Sequence, residues 1–309
     1  MPMPPNANAT FEEATTIVNA SLAQALANPL FAPQAKPLVT EMGIPDTKLN
    51  FRFLLDNRGL TELTKNIEKK AAVQKELVIL SAEFTDNVTV ALRDLKSSHG
   101  DMYRMAGEGM GAGLGPWQDQ KVAALLKSGG AGFTTASFDG EPYFSGSHPM
   151  DLAGEDISDV SNYDSGGAAD LWYLFDTRRM TPVWLNWAER PKNIDLGPDS
   201  EHAKKAFEVM WTLYCDAGFG MTIWHYGYAS NQTLTEAHFN SARVAMEATP
   251  TYANSSEGNQ VMGVMPNLLV VGRSNRLAAE KLINSATIDG GDPNPLYKTT
   301  GLLVLSYLP

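Results

Sequence analysis

The chain has 309 residues, of which 43% are hydrophobic and 19% charged, proportions that are ordinary for a globular protein with a substantial core. Its formal net charge of −11 shows no overall basic excess of the kind that holds nucleic acid through phosphate contacts. One cysteine, Cys215, excludes an internal disulfide and a multi-cysteine zinc site, and the sequence predicts neither a signal peptide nor a membrane span.

An amphipathic helix is predicted close to the N-terminus. Thr10 and Glu13 have the spacing of a capping box, and Pro29 ends the helical pattern. Two alternatives remain open for its apolar stripe, packing on the chain's own core or packing on a neighbouring subunit. We expect contact with a neighbour, because no adjacent segment offers an obvious complementary face. The stripe is formed by Phe11, Ala14, Val18, Leu22, Ala25 and Leu26, and Phe11, Val18 and Leu22 are the expected contact residues.

Residues 50–96 predict a long hairpin. Phe51, Phe53 and Leu55 alternate along the first strand, and ELVILSAEF predicts the return strand. The connecting stretch, GLTELTKNIEKKAA, is charged and helix-prone, which suits a projection over a partner or a solvated helix on the chain's own domain. We expect this stretch and the residue before it to contact acidic groups of an adjacent subunit, through Arg58, Lys65, Lys69 and Lys70.

Residues 100–130 predict two helical pieces. GEGMGAGLG is interpreted as a flexible joint, with Pro116 in the first turn of the second piece and Gly129-Gly130 at its end. Gly107, Gly109 and Ala112 loosely fit the G-x-G-x-x-A pattern of nucleotide-binding proteins. No predicted strand precedes them and no acidic residue follows at a suitable distance, so a hinge is favoured over a nucleotide site.

The second half of the chain predicts strands alternating with helices. Residues 131–200 indicate strands and long loops, and a period of two in FEVMWTLYC places Phe207, Val209, Trp211, Leu213 and Cys215 on one strand face. Thr233 and Glu236 form a second capping box. Leu268 to Val271 are typical of a buried strand, and GLLVLSYL predicts the last one.

Side chains that carry chemistry are scattered. No two histidines have the i, i+4 spacing of a helical metal site, and no G-x-S-x-G elbow is present. The carboxylates between Asp151 and Asp164 lack the order of a calcium-binding loop. The sequence therefore predicts no catalytic residue, metal or cofactor. One alternative stays open, a cytoplasmic enzyme that uses the 131–200 loops with His148 or His225.

Four stretches carry a resemblance to a known family. LLKSGGAGFTTASFDGEPYFSGSHP, LWYLFDTRRMTPVWL, GFGMTIWHYGYASNQTL and PNLLVVGRSNRLAAEKLIN occur in this order within roughly residues 117–309. They resemble the corresponding stretches of the major head subunit of Mu-like phages. One local departure is that Ser145, Gly146 and Ser147 precede His148-Pro149, where the family tends to have acidic residues.

The resemblance implies an α+β fold of the Hong Kong 97 capsid type. It would comprise an N-terminal arm (1–49), an extended hairpin (50–86), a peripheral domain with a spine helix (87–230) and an axial domain (231–309), with part of 131–200 open to assignment to the axial domain. The implied function is a major capsid protein that assembles in the host cytoplasm, as hexamers and pentamers, into the icosahedral head of the virion.

The same resemblance implies the partners. They are further copies of the chain, the portal, scaffold or protease, and decoration proteins of the phage, together with non-specifically packaged double-stranded DNA; no membrane and no cofactor are implied. An encapsulin-type nanocompartment shell, which encloses enzymes instead of DNA, is the alternative with the same fold.

Overall fold

The computed structural model describes residues 7–55, 73–95, 100–127, 137–150, 159–250, 261–288 and 291–309. Within these ranges the helices α1 to α5 span Ala7–Ala27, Gly100–Lys127, Glu201–Ala206, Glu236–Glu247 and Arg276–Ala279. The strands β1 to β11 span Val39–Met42, Lys48–Leu55, Val73–Leu80, Ala82–Ala91, Tyr163–Asp164, Trp172–Phe175, Val183–Leu196, Glu208–Met221, Gly227–Ser230, Leu268–Val271 and Gly301–Val304.

A four-stranded sheet has the order β1-β7-β8-β4, with β1 parallel to β7 and the other pairs antiparallel. The predicted alternation in β8 is confirmed, because Val209, Trp211, Leu213 and Cys215 are all buried. Phe207 was predicted on the same face, but it lies before the strand and is 65% exposed. It is the C-cap of α3 in the left-handed conformation (φ 58°), which turns its side chain out of the strand pattern.

The prediction of two helical pieces over residues 100–130 is wrong, because α2 is one continuous helix with Pro116 inside it. Gly107, Gly111 and Gly115 recur every fourth residue on the face where α1 and the turn after it pack. A Cβ atom added at Gly107 would lie 2.2 Å from the Ser21 Oγ atom, and one added at Gly115 would lie 2.0 Å from a main-chain oxygen. The glycines therefore permit a close approach of two elements and do not form a flexible joint.

Both predicted capping boxes are also wrong in position. Helix α1 already includes Ala7, so Thr10 and Glu13 lie inside it. The N-cap of α4 is Thr235, whose hydroxyl accepts a hydrogen bond from the main-chain N–H of His238. The helix therefore begins at Glu236, two residues later than an N-cap at Thr233 would place it. In both places the spacing of a threonine and a glutamate predicted the start of a helix, and the helix starts at a different residue.

A five-stranded sheet has the order β11-β10-β6-β9-β5 and takes strands from both sides of residue 230, where the axial domain was expected to begin. The buried strand Leu268–Val271 is confirmed as its β10. One face, with Leu269 and Val271, packs against α4 and the helical turn that carries Ile283. The other face shares a core with the C-terminal end of α2 and the adjoining ends of β7 and β8, so a single core joins the two sheets.

The predicted hairpin is confirmed in its described part. Strands β2 and β3 pair antiparallel from Lys48–Leu80 at the base to Leu55–Val73 at the far end. ELVILSAEF is not one strand, because β3 ends at Leu80 and β4 then joins the four-stranded sheet. The base packs closely on β8, where a Cβ atom added at Gly220 would lie 2.6 Å from Ile79.

Candidate assembly surfaces

The apolar stripe of α1 is buried within its own chain. Phe11 stacks on Trp211 of β8 with ring centroids 5.3 Å apart, and the Trp211 Nε1–H group donates a 2.9 Å hydrogen bond to Thr15. Val18 and Leu22 lie in the same core cluster, and Phe11, the most exposed of the three, is only 7% exposed. The expectation that Phe11, Val18 and Leu22 contact a neighbouring subunit is therefore corrected. The complementary faces are those of α2 and β8, which are distant in sequence.

The turn after α1 is fixed to α2 by a buried carboxylate. Asp119 accepts main-chain hydrogen bonds from Gln34 at 3.0 Å and from Ala35 at 2.8 Å. Burial raises the pKa of Asp119, and the two hydrogen bonds oppose that rise in part. The N-terminal segment is thus tied to α2 by polar as well as apolar contacts.

The four basic residues expected at an intersubunit contact lie outside the described residues. They are Arg58, Lys65, Lys69 and Lys70, all between β2 and β3. The far end of the hairpin, at Leu55 and Val73, lies about 23 Å from its base, given seven residue steps of about 3.3 Å. The segment that carries the four cations therefore starts about 23 Å along the hairpin from its base.

His148, one of the two histidines considered for an enzyme site, is held by buried polar partners. Its Nδ1 atom lies 2.7 Å from Asp139 Oδ2, and its Nε2 atom lies 3.1 Å from Asn162 Oδ1. The Asn162 amide nitrogen donates to three main-chain carbonyl oxygens at 2.8 to 3.3 Å, so its Oδ1 atom is the acceptor and the imidazole Nε2 atom carries hydrogen. Both ring nitrogens of His148 are therefore engaged.

The Trp224 indole stacks on His148 and on His225. Its ring centroid lies 4.0 Å from that of His148 and 3.7 Å from that of His225. Burial, and secondarily the nearby His148, lowers the pKa of His225 to about 3, so its imidazole is neutral at ordinary pH. With 0% and 1% exposure, neither histidine reaches a surface where a substrate binds. Both are core residues.

Three carboxylates lie side by side across the four-stranded sheet; we call Glu83, Asp216 and Glu189 the acidic row. Asp216 of β8 is the register partner of Glu83 in β4 and of Glu189 in β7. The neighbouring Cys215 points into the core beside α2, and side chains alternate along a strand, so the row lies on the opposite face.

Within the acidic row, two carboxylates have partners in the described chain. The Tyr214 hydroxyl donates a 3.0 Å hydrogen bond to Glu83, and Lys192 forms an ion pair with Glu189. The hydrogen bond to Glu83, then burial and the charges of the row, raise the pKa of Tyr214 to about 12. Asp216 is 9% exposed, and its Oδ1 atom is buried with no hydrogen-bond partner.

The described residues include no group of three or more His, Cys, Asp or Glu side chains arranged to hold a metal ion. No helix in the described ranges is long and apolar enough to cross a membrane. Cys215 is buried, and burial raises the pKa of its thiol to about 11, so it behaves as a core residue.

The fold is that of phage capsid proteins. The chain matches a subunit of the procapsid of bacteriophage JBD30 with a TM-score of 0.74 and 22% identity, over 99% of this chain and 100% of that one. The match to the mature JBD30 capsid has a TM-score of 0.75 and 18% identity, over 89% and 90% of the two chains. The predicted α+β fold of the Hong Kong 97 capsid type is thereby confirmed.

The family follows from the sequence comparisons. The model of the family described as "Mu-like prophage major head subunit gpT" matches residues 37–308. The Mu-like prophage FluMu major head subunit of Haemophilus influenzae (strain ATCC 51907 / DSM 11121 / KW20 / Rd) is 26% identical over 234 residues, 73% of either chain. The chain belongs to the Mu-like prophage major head subunit family, so the predicted resemblance is confirmed. As a head subunit it is a structural component of the phage particle.

Proposed function

We propose that copies of this chain assemble as hexamers and pentamers into a closed icosahedral shell around double-stranded phage DNA. The family match over residues 37–308 is the observation that carries the proposal. Many modest contacts repeated around a shell give it stability without any single strong interface. In this proposal the chain acts as a structural subunit, without catalysis and without a cofactor.

The surroundings of the shell are part of the same proposal. Its partners are the portal, the scaffold or protease of the phage, and decoration proteins; a related JBD30 capsid, with a TM-score of 0.75 and 18% identity, is described as decorated with minor capsid protein trimers. Packaged DNA is contacted non-specifically, and a net charge of −11 suits a wall along which DNA slides. Assembly takes place in the host cytoplasm.

The domain assignment is also proposed. The arm spans 1–49, the hairpin 50–86, the peripheral domain 87–230 and the axial domain 231–309, with the strands of the five-stranded sheet between 163 and 230 added to the axial domain. The continuity of that sheet across residue 230 supports this addition. Arg58, Lys65, Lys69 and Lys70 are proposed to contact acidic groups of an adjacent subunit.

Expression of the chain with and without its neighbouring phage genes, followed by electron microscopy, tests the proposal. We expect closed icosahedral particles with a portal at one vertex, and DNA that survives nuclease treatment when packaging proteins are present. The encapsulin alternative requires shells that carry protein cargo and no portal. A chain that stays a small oligomer under every condition would contradict both.

A further inference from the structure

A groove opens where α1, α2 and the four-stranded sheet meet. It has a volume of about 380 Å³ and is lined by the end of α1 with the turn after it, by the middle of α2, and by residues of β1 and β7. Leu26, Leu114 and Trp187 give it apolar walls, and the exposed residues Lys36 and Arg190 also line it. The groove therefore combines an apolar lining with two cations.

The polar groups of this groove are only partly satisfied by the chain itself. Gln118 is 6% exposed, and its amide forms no hydrogen bond with a described residue. Lys36 and Arg190 form no ion pair within the described ranges, whereas the Glu41 carboxylate accepts a 3.1 Å hydrogen bond from the Trp187 Nε1–H group. A buried amide without a partner is costly, so the arrangement indicates an occupant that supplies a hydrogen-bond acceptor.

We propose that this groove binds an acidic peptide segment of another protein of the phage. This inference rests on the proposed function, because it assigns a contact to one of the proteins with which the shell is built. A Glu or Asp carboxylate of the segment pairs with Lys36 and Arg190, and a main-chain carbonyl oxygen accepts a hydrogen bond from the Gln118 amide. An apolar side chain of the segment covers Leu114 and Trp187.

A peptide fits this groove better than DNA or a free anion does. It supplies a carboxylate for the cations, a carbonyl oxygen for Gln118 and an apolar side chain for the walls. The phosphates of DNA would meet the cations at the rim. A duplex is too wide to enter the groove, however, so the Gln118 amide would stay unpaired. A small inorganic anion would leave the apolar walls in water.

Crosslinking in assembled particles identifies the occupant. A photoreactive benzoylphenylalanine takes the place of Leu26, which lines the groove and is 40% exposed, in the full chain expressed with its neighbouring phage genes. Illumination of the particles and mass spectrometry then identify the crosslinked peptides. We expect one acidic segment of another phage protein. Crosslinks only to a second copy of this chain, only to DNA, or to nothing overturn the proposal.

Substitutions in the groove connect the crosslink to its polar groups. Lys36→Glu with Arg190→Glu should reduce the crosslink yield by about tenfold or more, since bonds to charged groups are lost. Gln118→Leu should reduce it by about fivefold. Gln118→Leu keeps the side-chain size and removes the unpaired amide, so the isolated subunit should melt at an unchanged or higher temperature. Lys204→Glu with Arg273→Glu, at two exposed cations outside the groove, is the matched control for net charge.

The outcomes separate this inference from the proposed function. An unchanged crosslink in the Lys36 and Arg190 double variant, or an equal loss in the control, overturns the acidic-peptide site while shells still form. A crosslink that Gln118→Leu leaves unchanged shows that the segment does not reach the buried amide, and this also contradicts the proposal. If the wild type forms no shells with its neighbouring phage proteins, the proposed function fails, and this inference fails with it.

Discussion

At the scale of single residues, buried polar groups join segments that are far apart in sequence. Asp119 of α2 binds the main chain at Gln34 and Ala35, and Asp176 accepts a 3.0 Å hydrogen bond from the N–H of Met265. Neither pairing could be predicted, because a carboxylate that becomes buried on folding looks the same in the sequence as one on the surface. These contacts depend on tertiary structure that no local pattern encodes.

His225 makes a testable contribution to the pH dependence of stability. Its pKa is lowered to about 3 from an ordinary value of 6.5, so the unfolded chain binds the proton more readily than the folded one. The contribution of His225 to the free energy of unfolding is therefore fully present above pH 6.5. It decreases as the pH falls from 6.5 towards 3, by up to about 1.4 kcal/mol per pH unit.

Urea denaturation of the subunit at several pH values measures this slope. His225→Phe keeps an aromatic ring beside Trp224 and removes the titrating group, so its stability should depend less on pH between 3 and 6.5. His238→Phe, at a half-buried position of α4, is the matched control for the loss of one histidine side chain. Equal slopes in the wild type and His225→Phe would show that the imidazole is not buried in neutral form.

At the scale of secondary-structure elements, local periodicity predicted the strands and missed the helix contacts. The alternation in β8 and the apolar run of β10 were sufficient to predict these two strands, because the burial of each strand follows directly from its own pattern. The glycines of α2 were misinterpreted as a joint. Their four-residue spacing was visible in the sequence, but its meaning depends on a second helix that packs there, and the partner of α1 was not predicted.

The glycine face of α2 predicts opposite effects for two similar substitutions. Gly107→Ala would place a methyl group 2.2 Å from the Ser21 hydroxyl and 2.4 Å from a main-chain oxygen, so it should destabilise the subunit by about 1–3 kcal/mol. At Gly109 a Cβ atom has nothing within 4 Å, so Gly109→Ala should stabilise the helix by about 0.5–1 kcal/mol. Thermal or urea unfolding of both variants measures the two changes in stability. Changes of the same sign would show that α1 does not pack on α2 at Gly107.

At the scale of the whole molecule, one continuous core connects both sheets with α2, and α1 closes a second core cluster over β8. The N-terminal segment therefore stabilises the subunit itself, and it is also part of the shell that the subunits build. A helix that only joined neighbours would leave Trp211 uncovered in the free subunit. In this chain Trp211 is 0% exposed, and α1 covers it.

Removal of α1 tests this placement. Deleting residues 1–28 should expose Trp211 and the glycine face of α2, and should lower the melting temperature of the isolated subunit substantially. Phe11→Ala gives a graded version, with an expected loss of about 3–5 kcal/mol from a buried aromatic side chain. Leu26→Ala, at a stripe position that is 40% exposed, is the matched control and should cost less. If the shortened subunit melts like the full chain while shells fail to form, then α1 packs on neighbouring subunits instead.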